Sequence, residues 1–246
     1  MIKNVFFDFN GTLIDDIDLT LDIENKLLVQ RGLNAVTKEF YLDNFCFPVI
    51  NYYKKSGFDL TKINFSELNA EFMNEYTERF LKDSKLFDDV EITLKKLKEN
   101  GYKVYIYSAS EINLLISQLK YFGIYNYFDG IIASTNIEAH TKLDYGRDYI
   151  KEHNINVSES IMIGDTEHDF EVASAIGLKP VLYSKGHNSR KILEKIGVPV
   201  IDNLMDVFNI LWYVDDIIFK KYWGFAGFFK KITICKTFFS FLIYLY

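Results

Sequence analysis

Cysteine is scarce in this 246-residue chain. Cys46 and Cys235 are the only two, with no CxxC pair and no metal-ligand spacing, so neither a disulfide framework nor a thiolate zinc site can be built from them. That usage points to a reducing, cytoplasmic setting. The four histidines, His140, His153, His168 and His187, show no ligand spacing either, which argues against a histidine-bound metal. Basic residues are outnumbered, 28 Lys and Arg against 34 Asp and Glu, giving a net charge of −6 and a pI near 5.3. The electrostatic footprint of a nucleic-acid binder is therefore not expected. No charged n-region, apolar h-region and cleavage site precede the first strand-like run, which begins at Ile2 and reaches an acid at Asp8, so export is not expected. Internal repeats and low-complexity segments are also lacking.

What is present is an ordinary globular composition, 49% hydrophobic and 25% charged, sufficient for one core and a smaller module. Short apolar runs at 5–7, 103–107, 131–133, 161–163 and 181–183 read as buried strands, several ending on polar residues. Helical patterns separate them: Val90, Leu94 and Leu97 before Gly101, and Phe170, Ala173 and Ile176 before Gly177. This alternation predicts right-handed βαβ units, hence an α/β fold with a doubly wound parallel sheet of Rossmannoid type. Ligands then belong at the carboxyl ends of the strands. Between Asp16 and Lys85 the alternation stops. Leu19, Ile23, Leu27 and Leu28 form one helical stripe, and Phe72, Met73, Tyr76 and Phe80 another, so 16–85 reads as an all-helical insertion broken around Pro48. Residues 1–15 and 86–205 make the α/β core, and 206–246 a C-terminal helix and tail.

The tail breaks from the rest in charge. Residues 217–246 hold five lysines and no acid, whereas the other 216 residues carry 23 basic against 34 acidic groups. Its longest uncharged run is ten residues, half of the roughly 20 needed to span a bilayer. Eleven aromatics and purely positive charge suit weak contact with an anionic membrane surface. The plainer reading, which we favour, is packing on the protein's own surface or on a partner.

Four strand ends bring together Asp8, Ser108, Lys142 and the pair Asp165/Asp169. An aspartate is ionised at neutral pH and can act as a nucleophile without prior deprotonation. Several carboxylates in one cleft repel each other and any anionic substrate, at roughly 4 kcal/mol per pair 4 Å apart with an effective dielectric of about 20, so a cation is needed among them. Oxygen-only ligands favour a hard ion, with Mg²⁺ the usual choice beside a phosphate oxygen. Lys142, the Ser108 hydroxyl and the backbone around Ala109 would hold the remaining phosphate oxygens.

These motifs resemble the haloacid dehalogenase (HAD) superfamily. Residues 5–13, reading VFFDFNGTL, are similar to its first motif; Ser108 resembles the second, Lys142 the third, and residues 161–169, reading IMIGDTEHD, the fourth. The run GDTEHDFEVASAIG is most like the phosphoglycolate-phosphatase branch, and the helical insertion falls where the family carries a cap domain. The resemblance implies that Asp8 attacks phosphorus to form an aspartyl-phosphate. It further implies that Ser108, Ala109 and Lys142 bind the phosphoryl group, and that Asp8, the carbonyl of Asn10 and Asp165 hold Mg²⁺, with Asp169 supporting or ligating. The substrate expected is a small phosphorylated metabolite.

One position departs from that pattern. The residue two after the nucleophile, usually a second Asp that serves as acid and base, is Asn10, and an amide exchanges no proton at neutral pH. Such catalysis is worth roughly 10²–10⁴-fold. A slowed phosphatase, one restricted to good leaving groups, or one using Asp15, Asp16, Glu111 or His140 instead all remain open. So do a non-catalytic phosphate-binding protein and a C–halogen hydrolase. Phe45, Phe47 and Pro48 are candidates for a cap face over the site, while Tyr52, Tyr53 and Phe58 read as cap core.

Overall fold

A computed structural model describes residues 1–135 and 141–215, with side chains as far as Leu211 in the last helix. His140 and residues 216–246, including the basic tail, lie outside the described residues. The chain enters through β1 (Asn4–Phe7) and crosses a short β2 (Ile14–Asp15). It then runs through four helices, α1 (Ile17–Gln30), α2 (Lys38–Asn44), α3 (Val49–Ser56) and α4 (Phe65–Asp83), and returns by β3 (Lys85–Leu86). The remainder alternates: α5 (Val90–Glu99), β4 (Lys103–Glu111), α6 (Ile112–Tyr121), β5 (Gly130–Ser134), α7 (Lys142–Glu152), β6 (Ser160–Gly164), α8 (Glu167–Ile176), β7 (Lys179–Tyr183), α9 (Arg190–Leu193), β8 (Val200–Ile201) and α10 (Val207–Asp215).

Six strands form one sheet in the order β5-β4-β1-β6-β7-β8, every pairing parallel. Successive side chains of a strand face opposite sides, and the sheet is covered on both. Val5, Phe7, Val104, Ile106, Ile161 and Ile163 pack with residues of α5, α6 and α10; Phe6, Tyr107 and Met162 pack with α7 and α8. Each such buried side chain contributes about 1.5–3 kcal/mol relative to exposure. β1 is central, so residue 8 emerges between β4 and β6, where the strand order reverses direction and a crevice opens.

The helical insertion sits above that crevice, joined to the core by the antiparallel β2–β3 ribbon, Ile14 opposite Leu86 and Asp15 opposite Lys85. Thr37 and Asn64 cap α2 and α4 through their side chains. The break at 44–48 is real: α2 ends at Asn44 and Pro48 precedes α3. Contacts fasten the end of α2 to the loop after β7 and the first turn of α9. Ser189 Oγ donates to Asp43 Oδ1 (2.5 Å), Lys191 Nζ lies 2.9 Å from Asp43 Oδ2, and Asn188 Nδ2 donates to the Phe45 carbonyl (2.9 Å).

Two local expectations are corrected. β4 does not stop at Tyr107 but continues to Glu111, because pairing with β5 resumes at Glu111–Ser134 after a register shift. On α8 the buried face is Asp169, Val172 and Ala173, while Phe170 is only partly buried.

Candidate active site

The chemistry gathers at the carboxyl ends of β1, β4 and β6 and at the start of α7 and α8. Asp8 directly follows β1, its N–H donating to the Ile163 carbonyl at 2.8 Å, which fixes the backbone from which the carboxylate projects. Lys142 is the first residue of α7, held by the Thr141 capping box; its ammonium lies 2.5 Å from Asp8 Oδ1 and 2.9 Å from Asp169 Oδ1. Instead of a solvated helix residue it is a lysine only 9% exposed, positioned over the Tyr107 ring. Thr166 caps α8, and its backbone N–H and hydroxyl both donate to Asp169 Oδ2, at 3.1 and 2.7 Å. Asp165 is fully buried between the Thr12 hydroxyl (2.8 Å to Oδ1) and the His187 N–H (2.6 Å to Oδ2).

Glycines make room for Asp165. A Cβ on Gly11, whose φ is +72°, would lie 2.3 Å from its Oδ2, and one on Gly186 would lie 2.2 Å away. Ser108 is buried, with its hydroxyl 3.1 Å from the Ser110 hydroxyl and accepting from the Ser110 N–H; Ala109 follows on the cavity wall.

Asp8, Asp165 and Asp169 each offer a carboxylate oxygen, all within 4.8 Å of one another. One lysine serves this group, and the electrostatics record the deficit. Burial, together with the charges of Asp169 and Asp165, raises Asp8 from its ordinary 3.8 to about 8 against the pull of Lys142. Burial and Asp169 likewise raise Asp165 to about 6. Asp169 goes the other way: burial opposes its ionisation, but Lys142 and Thr166 win and hold it below the usual carboxylate range. A buried all-oxygen cluster short of positive charge fits a hard divalent cation.

A second network surrounds Asn10. Its amide donates to the Tyr76 hydroxyl (2.8 Å) and to Asp16 Oδ2 (3.2 Å), and Tyr76 itself donates to Asp16 Oδ2 at 2.5 Å. Asp16 Oδ1 accepts from the Gly11 N–H and lies 3.2 Å from His187 Nε2, while His187 Nδ1 meets the Tyr41 hydroxyl at 2.8 Å. Burial pushes His187 down, but the Asp16 carboxylate more than offsets it, lifting the imidazolium to about 9. Burial also opposes ionisation of Asp16, yet His187, Tyr76 and Asn10 hold it below the usual range.

Of the groups considered as substitutes for an acidic residue at position 10, His140 lies outside the described residues, and among Asp15, Asp16 and Glu111 only Asp16 is brought to Asn10. Asp15 pairs with Lys85 in the β2–β3 ribbon, and the Glu111 carboxylate caps α6 by accepting from the Leu114 N–H. His187 and Tyr76 were legible only weakly: Tyr76 belonged to a helical stripe, and His187 lies four residues beyond the end of β7, a strand end without a motif.

A cavity of about 440 Å³ connects these groups to the insertion. Of Phe45, Phe47 and Pro48, the first two line it and Pro48 does not, and the Phe47 ring lies tilted against His168 in the first turn of α8. Tyr52 and Tyr53, read as core, are buried and line the cavity too, whereas Phe58 is core alone.

Known proteins resemble this chain in sequence and fold. Over 188 residues the chain is 29% identical to a Clostridium perfringens protein provisionally named pyrophosphatase PpaX, covering 73% of this chain and 82% of that one. It is 28% identical over 198 residues to the phosphoglycolate phosphatase of Aquifex aeolicus, covering 76% and 86%. A haloacid dehalogenase-like protein of unknown function from Agrobacterium tumefaciens superposes with a TM-score of 0.73 at 19% identity over 88% of this chain and all of that one, a likeness of fold. The family model described as haloacid dehalogenase-like hydrolase matches residues 5–183. With its parallel sheet, its strand-end carboxylates and that match over most of its length, the chain belongs to the haloacid dehalogenase-like hydrolases.

Proposed function

We propose that this protein is a Mg²⁺-dependent phosphatase that hydrolyses a small phosphorylated metabolite through an aspartyl-phosphate. The observation that carries the reading is Asp8 on the central strand, within reach of both Lys142 and the acidic pair. Asp8 attacks phosphorus in line with the departing oxygen, and Lys142 neutralises the equatorial oxygens as charge builds on them. The Ser108 hydroxyl and the backbone at Ala109 orient the same group. Asp8, the Asn10 carbonyl and Asp165 would hold Mg²⁺, with Asp169 keeping Lys142 and the α8 terminus in place; when bound, the ion screens carboxylate from phosphate and lowers the Asp8 pKa. The helical insertion acts as a cap that excludes bulk water during transfer.

Asn10 makes the reaction slow for poor leaving groups. Tyr76, the nearest hydroxyl, is no substitute, because burial and Asp16 raise its pKa well above the ordinary value. The names of the relatives support phosphate esters or anhydrides as the substrate class. No helix among the described residues is long and apolar enough to cross a membrane, and the cysteine usage supports a cytoplasmic site of action.

The test is phosphate release from phosphomonoesters, acyl phosphates and pyrophosphate with Mg²⁺ or EDTA, beside Asp8→Asn. Release that needs Mg²⁺ and disappears in the variant is expected. Release that persists in Asp8→Asn overturns the assignment.

A further inference from the structure

Resting on that reading, we infer that the leaving group is an uncharged aryl or similarly stabilised oxide, seated against the aromatic wall of the insertion. Two independent observations converge on it.

The first is the wall. The insertion presents Phe45, Phe47, Tyr53, Phe72 and Met73 to the cavity, with Tyr52 backed by Glu24 through a 2.7 Å hydrogen bond. Among the described residues lining the cavity, the basic ones are Lys142, His168 and His187, all from the core. Lys142 is committed to Asp8 and Asp169, His187 to Asp16 and Tyr41, and the His168 ring lies against Phe47. A carboxylate or second phosphate on the leaving group would therefore be desolvated opposite aromatic faces, with Glu24, only 1% exposed, behind them and no uncommitted cation among the described lining residues to meet it. A flat uncharged ring gains stacking and apolar burial in the same place.

The second is Asn10. As the Asp8 oxygen bonds to phosphorus, the ester P–O bond breaks with its electron pair on the departing oxygen. A phenolic oxygen, with a pKa of about 10, bears that pair without a proton, whereas an alkoxide near the value of water, about 16, needs one that position 10 cannot give. Water then hydrolyses the aspartyl-phosphate, and its two protons end on the phenol and the released hydrogen phosphate. A pocket for rings and a centre without a proton donor suit the same substrates.

The experiment compares kcat/KM for 4-carbamoylphenyl phosphate, its near-isostere 4-carboxyphenyl phosphate, and phosphoglycolate on the full chain with Mg²⁺. Isothermal titration of 4-carbamoylbenzylphosphonate and 4-carboxybenzylphosphonate runs alongside. A preference of about tenfold or more for the neutral member of each pair is expected. Met73→Lys, at an exposed rim position, should narrow that ratio several-fold by supplying the missing cation. Turnover of phosphoglycolate or the carboxylated ester equal to or above that of the neutral ester overturns the inference and leaves the phosphatase reading standing. If no ester releases phosphate, the hydrolytic reading fails and titration decides: tighter binding of the neutral phosphonate upholds the pocket assignment, and equal, reversed or no binding overturns it.

Discussion

The amide at position 10 donates to Tyr76 and Asp16 and has no proton to exchange at neutral pH. Asn10→Asp should supply what is missing, since a carboxyl placed beside the ionised Asp16 has its pKa raised and so suits a proton donor. Turnover of a simple alkyl phosphate should rise by about 10- to 100-fold, measured as initial rates of phosphate release; an unchanged rate would show that Asn10 is already matched to its chemistry. His187→Phe keeps a ring but strips partners from buried Asp16 and Tyr41, and should cost about 1–3 kcal/mol for each group left unsatisfied, read by urea unfolding. Asp8, Lys142, Asp165 and Asp169 were legible in the sequence because each directly follows a strand or lies in the first turn of a helix, positions where the backbone fixes a side chain, whereas Ser108 lies inside β4. His187 was not. Its importance comes from a contact 171 positions distant, with Asp16, and no local spacing encodes that.

At the scale of elements, the N-terminus of α8 does two things at once: Thr166 satisfies its first turn and aligns Asp169 for Lys142. Thr166→Val removes the cap, should lower stability by about 1 kcal/mol in thermal or denaturant unfolding, and should weaken Mg²⁺ binding by titration through the freed Asp169. The five longer sheet strands and helices α1, α4, α5 and α8 followed from period and punctuation, since parallel strands buried on both faces read as unbroken apolar runs. What escaped was tertiary. The stripe Phe72, Met73, Tyr76 and Phe80 was correctly helical, yet only Phe80 is fully buried, because the other three turn toward the cavity. Spacing tells which residues share a face; what that face meets is decided by chain far away.

Over the whole molecule, Asp8, Asp165 and His187 are each held above their ordinary values, at about 8, 6 and 9. At these three groups the folded protein retains protons that the unfolded chain has released, so their contribution to metal-free stability is present near pH 5 and is lost as pH rises through those values. The melting temperature without metal should fall from about pH 5 to pH 9, and Mg²⁺, replacing the carboxyl protons, should raise it more at the alkaline end. A Mg²⁺ shift independent of pH in differential scanning fluorimetry would exclude these carboxylates as the ligands. The polar clasp between Asp43 and the start of α9 at Ser189 and Lys191 has a kinetic corollary. A vessel fastened at its rim empties no faster than the fastening loosens, so on the most reactive esters throughput should track lid release rather than bond cleavage. Asp43→Ala, remote from the reacting atoms, should then quicken steady turnover and shrink any pre-steady-state burst.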